Sequence, residues 1–187
     1  MKRHGWVVAA VAAVLALALA GLVVAQGKFT LRVNAGDSAN YTDKAGNVWQ
    51  GDKWYKKGAK YGFIDGDVID RGAAMKIQGT NDPKIYQTER YSLSAFIAEV
   101  PNGKYTVRLH FAETYEDIET DGPRVFDVSI QGKPGLKDFN IQKEAGAVQK
   151  VLIKEFKGVD VASGTLEIKF IAKEQNPAIN GIEIIAE

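Results

Sequence analysis

Beyond residue 28 the chain is dominated by a period-two alternation of apolar and polar residues. In KYTVRLHFAE, Tyr105, Val107, Leu109 and Phe111 fall on one face while Thr106, Arg108 and His110 fall on the other, as in a strand with one side buried. SAFIAEVP repeats the pattern through Phe96, Ala98 and Val100, RVFDVSIQG through Phe126, Val128 and Ile130, and GTLEIKFIA through Leu166, Ile168 and Phe170. FTLRVN near the start (Phe29, Leu31, Val33) and INGIEIIAE at the end (Ile182, Ile184) add two more runs. Pro101-Asn102-Gly103 supplies a fixed φ and then a residue tolerant of positive φ, which predicts a hairpin between the runs on either side. From Ala35 to Tyr91 the alternation is poor and Gly, Asp, Lys and aromatic residues abound, so long loops are expected there. Six to nine strand-like runs, with no amphipathic helix of ten or more residues after Ala25, predict an all-β fold: an antiparallel, jelly-roll-like β-sandwich with long loops.

The N-terminus obeys a different pattern. Lys2 and Arg3 precede an unbroken apolar run from Trp6 to Ala25, and the next charge is Lys28. This is the layout of an export signal, with small residues Val23 and Ala25 placed for cleavage before Gln26. Twenty residues at a helical rise of 1.5 Å cover about 30 Å, enough to cross a bilayer, so an uncleaved anchor is the alternative. Either way the remainder lies outside the cytoplasm, secreted or periplasmic if the segment is cut and membrane-anchored if it is not. The chain is therefore read as residues 1–25, signal peptide or membrane anchor, followed by one domain over residues 26–187, with no membrane contact expected except through the N-terminal helix.

Composition narrows the function. Lys and Arg number 24 against 23 Asp and Glu, so there is no charge excess to displace counterions from phosphate and no nucleic-acid partner is expected. The absence of cysteine removes disulfides, thiolate zinc sites and thiol nucleophiles. Once residues 1–25 are set aside, His110 is the only histidine, in mid-strand and without a nucleophile motif such as G-x-S-x-G, which argues against a Ser-His-Asp centre. The acidic stretches FIDGDVIDR (Asp65, Asp67, Asp70) and HFAETYEDIETD (Glu113, Glu116, Asp117, Glu119) contain enough carboxylates for glycoside hydrolysis or a calcium site. Their spacing fits neither a defined acid pair nor the ordered ligands of an EF-hand loop, and no catalytic residue, metal or other cofactor is assigned.

Aromatic residues in polar surroundings give a stronger signal. Trp49, Trp54, Tyr55, Tyr61 and Phe63 lie among Gly, Asp and Lys, while Tyr86, Tyr91 and Tyr115 lie beside Asn, Gln, Thr, Glu and Arg. Rings stack on the apolar face of a pyranose while amides and carboxylates take its hydroxyls, although a share of such rings must pack beneath the loops.

VNAGD (Val33–Asp37), YQTERY (Tyr86–Tyr91), LHFAETY (Leu109–Tyr115), VFDVSIQG (Val125–Gly132) and NPAINGIEI (Asn176–Ile184) together closely resemble the malectin domain family, in order and spacing, from about Phe29 to Ile185. The resemblance implies a β-sandwich that binds carbohydrate, gluco-oligosaccharides above all, without catalytic activity of its own. It implies ligand contacts from Tyr61, from Tyr86 or Tyr91, and from Tyr115, with Glu116, Gln175 and Asn176 beside them. Glu116 stands where animal members carry Phe, and Gln175 where Asp is frequent. The expected partner is a glucose-containing oligosaccharide or polysaccharide; the alternative is a protein-interaction or adhesion module using the same aromatic surface. Glu89, Arg90 and Glu113 are expected to form one charge-assisted network. Asn34 and Gly36 are expected to shape the turn after the first strand, and Asn180-Gly181 a bulge or turn in which Gly takes positive φ.

Overall fold

A computed structural model describes residues 28–187, so the segment read as signal or anchor lies outside the described residues. The described residues form β1 Thr30–Asn34, β2 Tyr41–Thr42, β3 Val48–Gly51, β4 Tyr61–Asp70, β5 Thr88–Glu99, β6 Gly103–Phe111, β7 Val125–Ile130, β8 Lys133–Phe139, β9 Leu152–Val161, β10 Thr165–Glu174, β11 Ala178–Ile179 and β12 Gly181–Ala186. Between them lie the short helices α1 Ile118–Asp121 and α2 Ile141–Ala145 and a 3-10 turn at Pro83–Tyr86. No helix among the described residues is long and apolar enough to cross a membrane.

The strands make two sheets. One runs β2-β3-β1-β12-β6-β9; in the other, β5 pairs with β4 along one edge and with β11 and β10 along the opposite edge, and β10 continues to β7 and β8. The apolar faces predicted by alternation meet between the sheets: Val33, Phe96, Val107, Leu109, Phe111, Phe126, Leu166, Ile168, Ile182 and Ile184 all belong to one buried cluster. A second cluster of Trp49, Ile77, Ile85, Tyr86 and Ala112 lies under the long connections. The fold is thus an all-β sandwich, as expected.

Three expectations are corrected. Pro101-Asn102-Gly103 does not close a hairpin, because β5 and β6 belong to different sheets and the turn carries the chain across the core. Alternation fixes which side chains face inward, but inward faces meet equally well across a sandwich as along a sheet. The stretch from Ala35 to Tyr91 is not all loop, since it holds β2, β3 and the ten-residue β4. β4 was hidden because Asp65 and Gly66 take positive φ (60° and 82°) and the register with β5 shifts between Ile64 and Asp65, which breaks period two. Finally, the pairing is not wholly antiparallel: β3 runs parallel to β1, because β2 turns the chain back between them.

Asn180 marks the point where the chain leaves the second sheet, through β11, and enters the first, through β12. Fully buried, its side chain accepts from the Ala112 N–H at 2.6 Å and donates to the Thr88 carbonyl at 2.9 Å, tying both sheets together. Gly181 beside it does not take positive φ, contrary to expectation. Its missing side chain matters for packing instead, since a Cβ there would lie 3.0 Å from the Trp49 ring and 3.3 Å from Ile85. Gly36 does turn the chain at φ 88°, as expected, and a Cβ on it would meet the Glu89 backbone at 2.5 Å.

Candidate functional site

The strand β5 distributes its side chains to two faces, and that alternation builds the site. Arg90 turns inward, where its Nε and Nη2 donate to the two Asp52 oxygens at 3.0 and 2.7 Å, its Nη1 donates to the Asp65 and Gly66 carbonyls, and its guanidinium lies 4.4 Å from the Trp54 ring centre. Glu89 and Tyr91 turn the other way. They line a cleft of about 250 Å³ together with Ile69 from β4, Arg71 just beyond it, Tyr115 from the connection after β6, Arg124 before β7, and Gln175 and Asn176 after β10.

Glu89, the one carboxylate that lines the cleft, and Glu113 behind Arg124 are both committed to protein partners. Glu89 is 1% exposed and takes Arg71 at 2.9 Å on one oxygen and the Thr114 hydroxyl at 2.8 Å on the other. Glu113 takes Arg124 Nε at 2.9 Å and the Tyr115 N–H at 3.1 Å. Arg124 also donates to the Asn176 carbonyl, and Gln175 donates its amide to the carbonyls of Asp121 at 3.0 Å and Gly122 at 3.2 Å. The expected single network of Glu89, Arg90 and Glu113 is therefore three separate pairs, Arg71–Glu89, Arg90–Asp52 and Arg124–Glu113. Neighbours in a strand point to opposite faces, so Glu89 and Arg90 cannot share partners.

Two half-exposed rings remain for a ligand. Tyr91 and Tyr115 both stand in the cleft wall, with the Arg71 guanidinium 6.0 Å from the Tyr115 ring centre. The Tyr115 hydroxyl donates to Asp121, and that bond, followed by burial and the nearby acidic charge, raises its pKa above the usual phenol value. Gln175 (φ 55°) and Asn176 are exposed at the mouth.

The remaining sequence-predicted residues lie elsewhere. Tyr86 is only 3% exposed, in the second core cluster, with its hydroxyl 2.8 Å from His110 Nδ1, so its ring has no free face for a sugar. Tyr61 is 7% exposed; its hydroxyl donates to the Gly51 carbonyl at 2.8 Å, Lys53 covers its ring at 3.7 Å, and it borders a different hollow. Glu116 is exposed next to Tyr115 but does not line the cleft. Arg71, Arg124, Ile69 and Thr114 escaped the sequence reading, because an arginine in VIDRG or DGPRV gives no sign of which distant carboxylate it meets.

His110 is fully occupied between Tyr86 and the Glu183 carboxylate, 2.9 Å from Nε2, and Glu183 also takes Arg32 at 2.8 Å. Burial works to raise the Glu183 pKa, but the hydrogen bond and charge of His110, together with Arg32, outweigh it and leave the pKa lowered. Among the described residues, no three or more His, Asp and Glu side chains are grouped to hold a metal ion.

With the cleft defined, comparison with known proteins places the chain. The family model described as the Malectin domain matches residues 29–185. The chain belongs to the malectin domain family. Arabidopsis thaliana supplies similar proteins, among them the probable LRR receptor-like serine/threonine-protein kinase RFK1, 34% identical over 149 residues that cover 66% of this chain and 15% of that protein. The chain spans only a small part of such relatives, 9% and 12% of two further receptor-like kinases it resembles. Among solved structures, a Bacteroides uniformis β-glucuronidase superposes with a TM-score of 0.76 at 25% identity, covering 85% of this chain and 18% of that one. The plant receptor-like kinase FER gives 0.67 at 26%, covering 85% and 42%.

Proposed function

We infer that this malectin domain is a non-catalytic carbohydrate-binding module, exported from the cytoplasm, that holds a gluco-oligosaccharide in the Tyr91–Tyr115 cleft. The observation that carries this reading is the pairing of two half-exposed tyrosines with polar groups already held in place by ion pairs. Rings of this kind cover the C–H face of a pyranose, while Asn176 and Gln175 at the mouth offer amide groups for hydroxyls. The cleft's volume falls just under the roughly 300–1,000 Å³ typical of small-molecule pockets, which suits one or two sugar rings rather than a long chain segment. Hydrolysis is disfavoured, since both oxygens of Glu89 and of Glu113 are engaged by protein partners and neither stands free as one of the two carboxylates that flank a scissile glycosidic bond. A similarity to receptor-like kinases fits a chain that opens on an export signal, and the signal or anchor status of residues 1–25 belongs to the same reading.

The test is a titration of the protein with maltose, nigerose, cellobiose and laminaribiose, followed by tyrosine and tryptophan fluorescence. Saturable binding to one or more disaccharides is expected. Silence toward all four from folded protein contradicts the reading and moves the site to a protein partner.

A further inference from the structure

Away from the sugar cleft, the segment KWYKKGAK between Asp52 and Tyr61 carries Lys53, Lys56, Lys57 and Lys60 with no acidic residue, and all four are exposed. Trp54 in the same segment is 56% exposed. The ring is not loose: the segment hydrogen-bonds along β4, with Phe63 N–H to the Lys53 carbonyl at 2.9 Å and Tyr55 N–H to the Phe63 carbonyl at 2.8 Å, and buried Arg90 lies against the indole. An apolar ring held in water by a rigid support, in a segment that also carries four exposed lysines, has the composition of a membrane-interface contact. Of the nearby acids, Asp52 is consumed by Arg90, and Glu99 alone faces the same hollow as Lys53 and Lys60.

That hollow is also lined by Phe29 and Thr30, where the domain begins. Phe29 stands four residues after Ala25, the last residue of the apolar run, a reach of at most about 14 Å. A domain tethered by that run must therefore hold this end, and with it the lysine segment, within reach of the lipid headgroups.

We propose that the Lys53–Lys60 segment docks the domain on an anionic phospholipid surface, with Trp54 at the headgroup level and the lysines on the lipid charges. The docking is independent of the sugar-binding reading and rests on residues 1–25 being retained as an anchor. Docked this way, the domain would be oriented on the membrane rather than swinging from its tether.

The chain has no cysteine, so Ala59→Cys offers a unique attachment point for an environment-sensitive fluorophore within the segment. Full-length labelled protein is placed in vesicles of phosphatidylcholine alone or mixed with phosphatidylglycerol. The expected result is a blue shift only with phosphatidylglycerol, reversed by salt, weakened about fivefold for each lysine removed, and lost in K53Q/K56Q/K57Q/K60Q at an unchanged unfolding temperature. Equal emission on both lipids, or a shift that survives the quadruple substitution, overturns the proposal. So does a shift produced by soluble polygalacturonate and not by vesicles, which would make the segment a reader of acidic glycans. Intact mass of the membrane-borne protein tests the premise separately: a chain beginning at Gln26 removes the tether and with it the proposal.

Discussion

Tyr86 and Tyr91 show how five positions decide between packing and recognition. Burial pushes the Tyr86 phenol well above its ordinary pKa, and its hydroxyl serves His110. Tyr86→Phe should leave sugar affinity unchanged and cost about 1 kcal/mol of stability, measurable by denaturant unfolding. Tyr115→Ala should do the reverse, weakening sugar binding about tenfold while stability moves by less than about 0.5 kcal/mol. Glu183 adds a pH dependence. Its pKa is lowered in the folded state, so its contribution is present above the unfolded carboxylate value near 4.5 and is lost as pH falls through the folded value. Glu183→Gln should therefore show a shallower loss of melting temperature on acidification below about pH 4.5 than the parent.

At the scale of elements, the long connections are positioned by glycines and amides rather than by strand pairing. Gly181→Ala would drive a methyl into Trp49 and Ile85, and we expect a loss of about 1–3 kcal/mol from overpacking, read as a lowered unfolding midpoint. Strands flanked by apolar runs were legible in the sequence because burial on one face imposes period two; β6, β7, β10 and β12 were found this way. β4 was not, because its two positive-φ residues and register shift destroy that signal, and β9 was not, because an edge strand buries little of either face. The hairpin expected at Pro101–Gly103 failed for a related reason: turn chemistry marks where a chain bends, not which sheet it bends toward.

For the whole molecule, β12 holds the sandwich shut, lying between β1 and β6 and following directly on the Asn180 clamp. A chain ending at Asn180 leaves both neighbours with unpaired edges and should be recovered aggregated rather than folded, as judged by size-exclusion chromatography. The cleft was only partly legible. Tyr91 in β5, Tyr115 after β6, and Gln175 and Asn176 after β10 come from three separate segments, and their aromatic and amide chemistry could be read locally. Arg71 and Arg124 could not, because their meaning depends on carboxylates 18 and 11 residues away that only the fold brings near.

On the proposed function the sugar sits in the Tyr91–Tyr115 cleft and not in the hollow beside Tyr61. Chemical-shift mapping of the protein with its best disaccharide tests this most directly. Perturbations gathered at Tyr91, Tyr115 and Gln175–Asn176 are predicted; a cluster around Lys53 and Tyr61, or no saturable change anywhere, would contradict it.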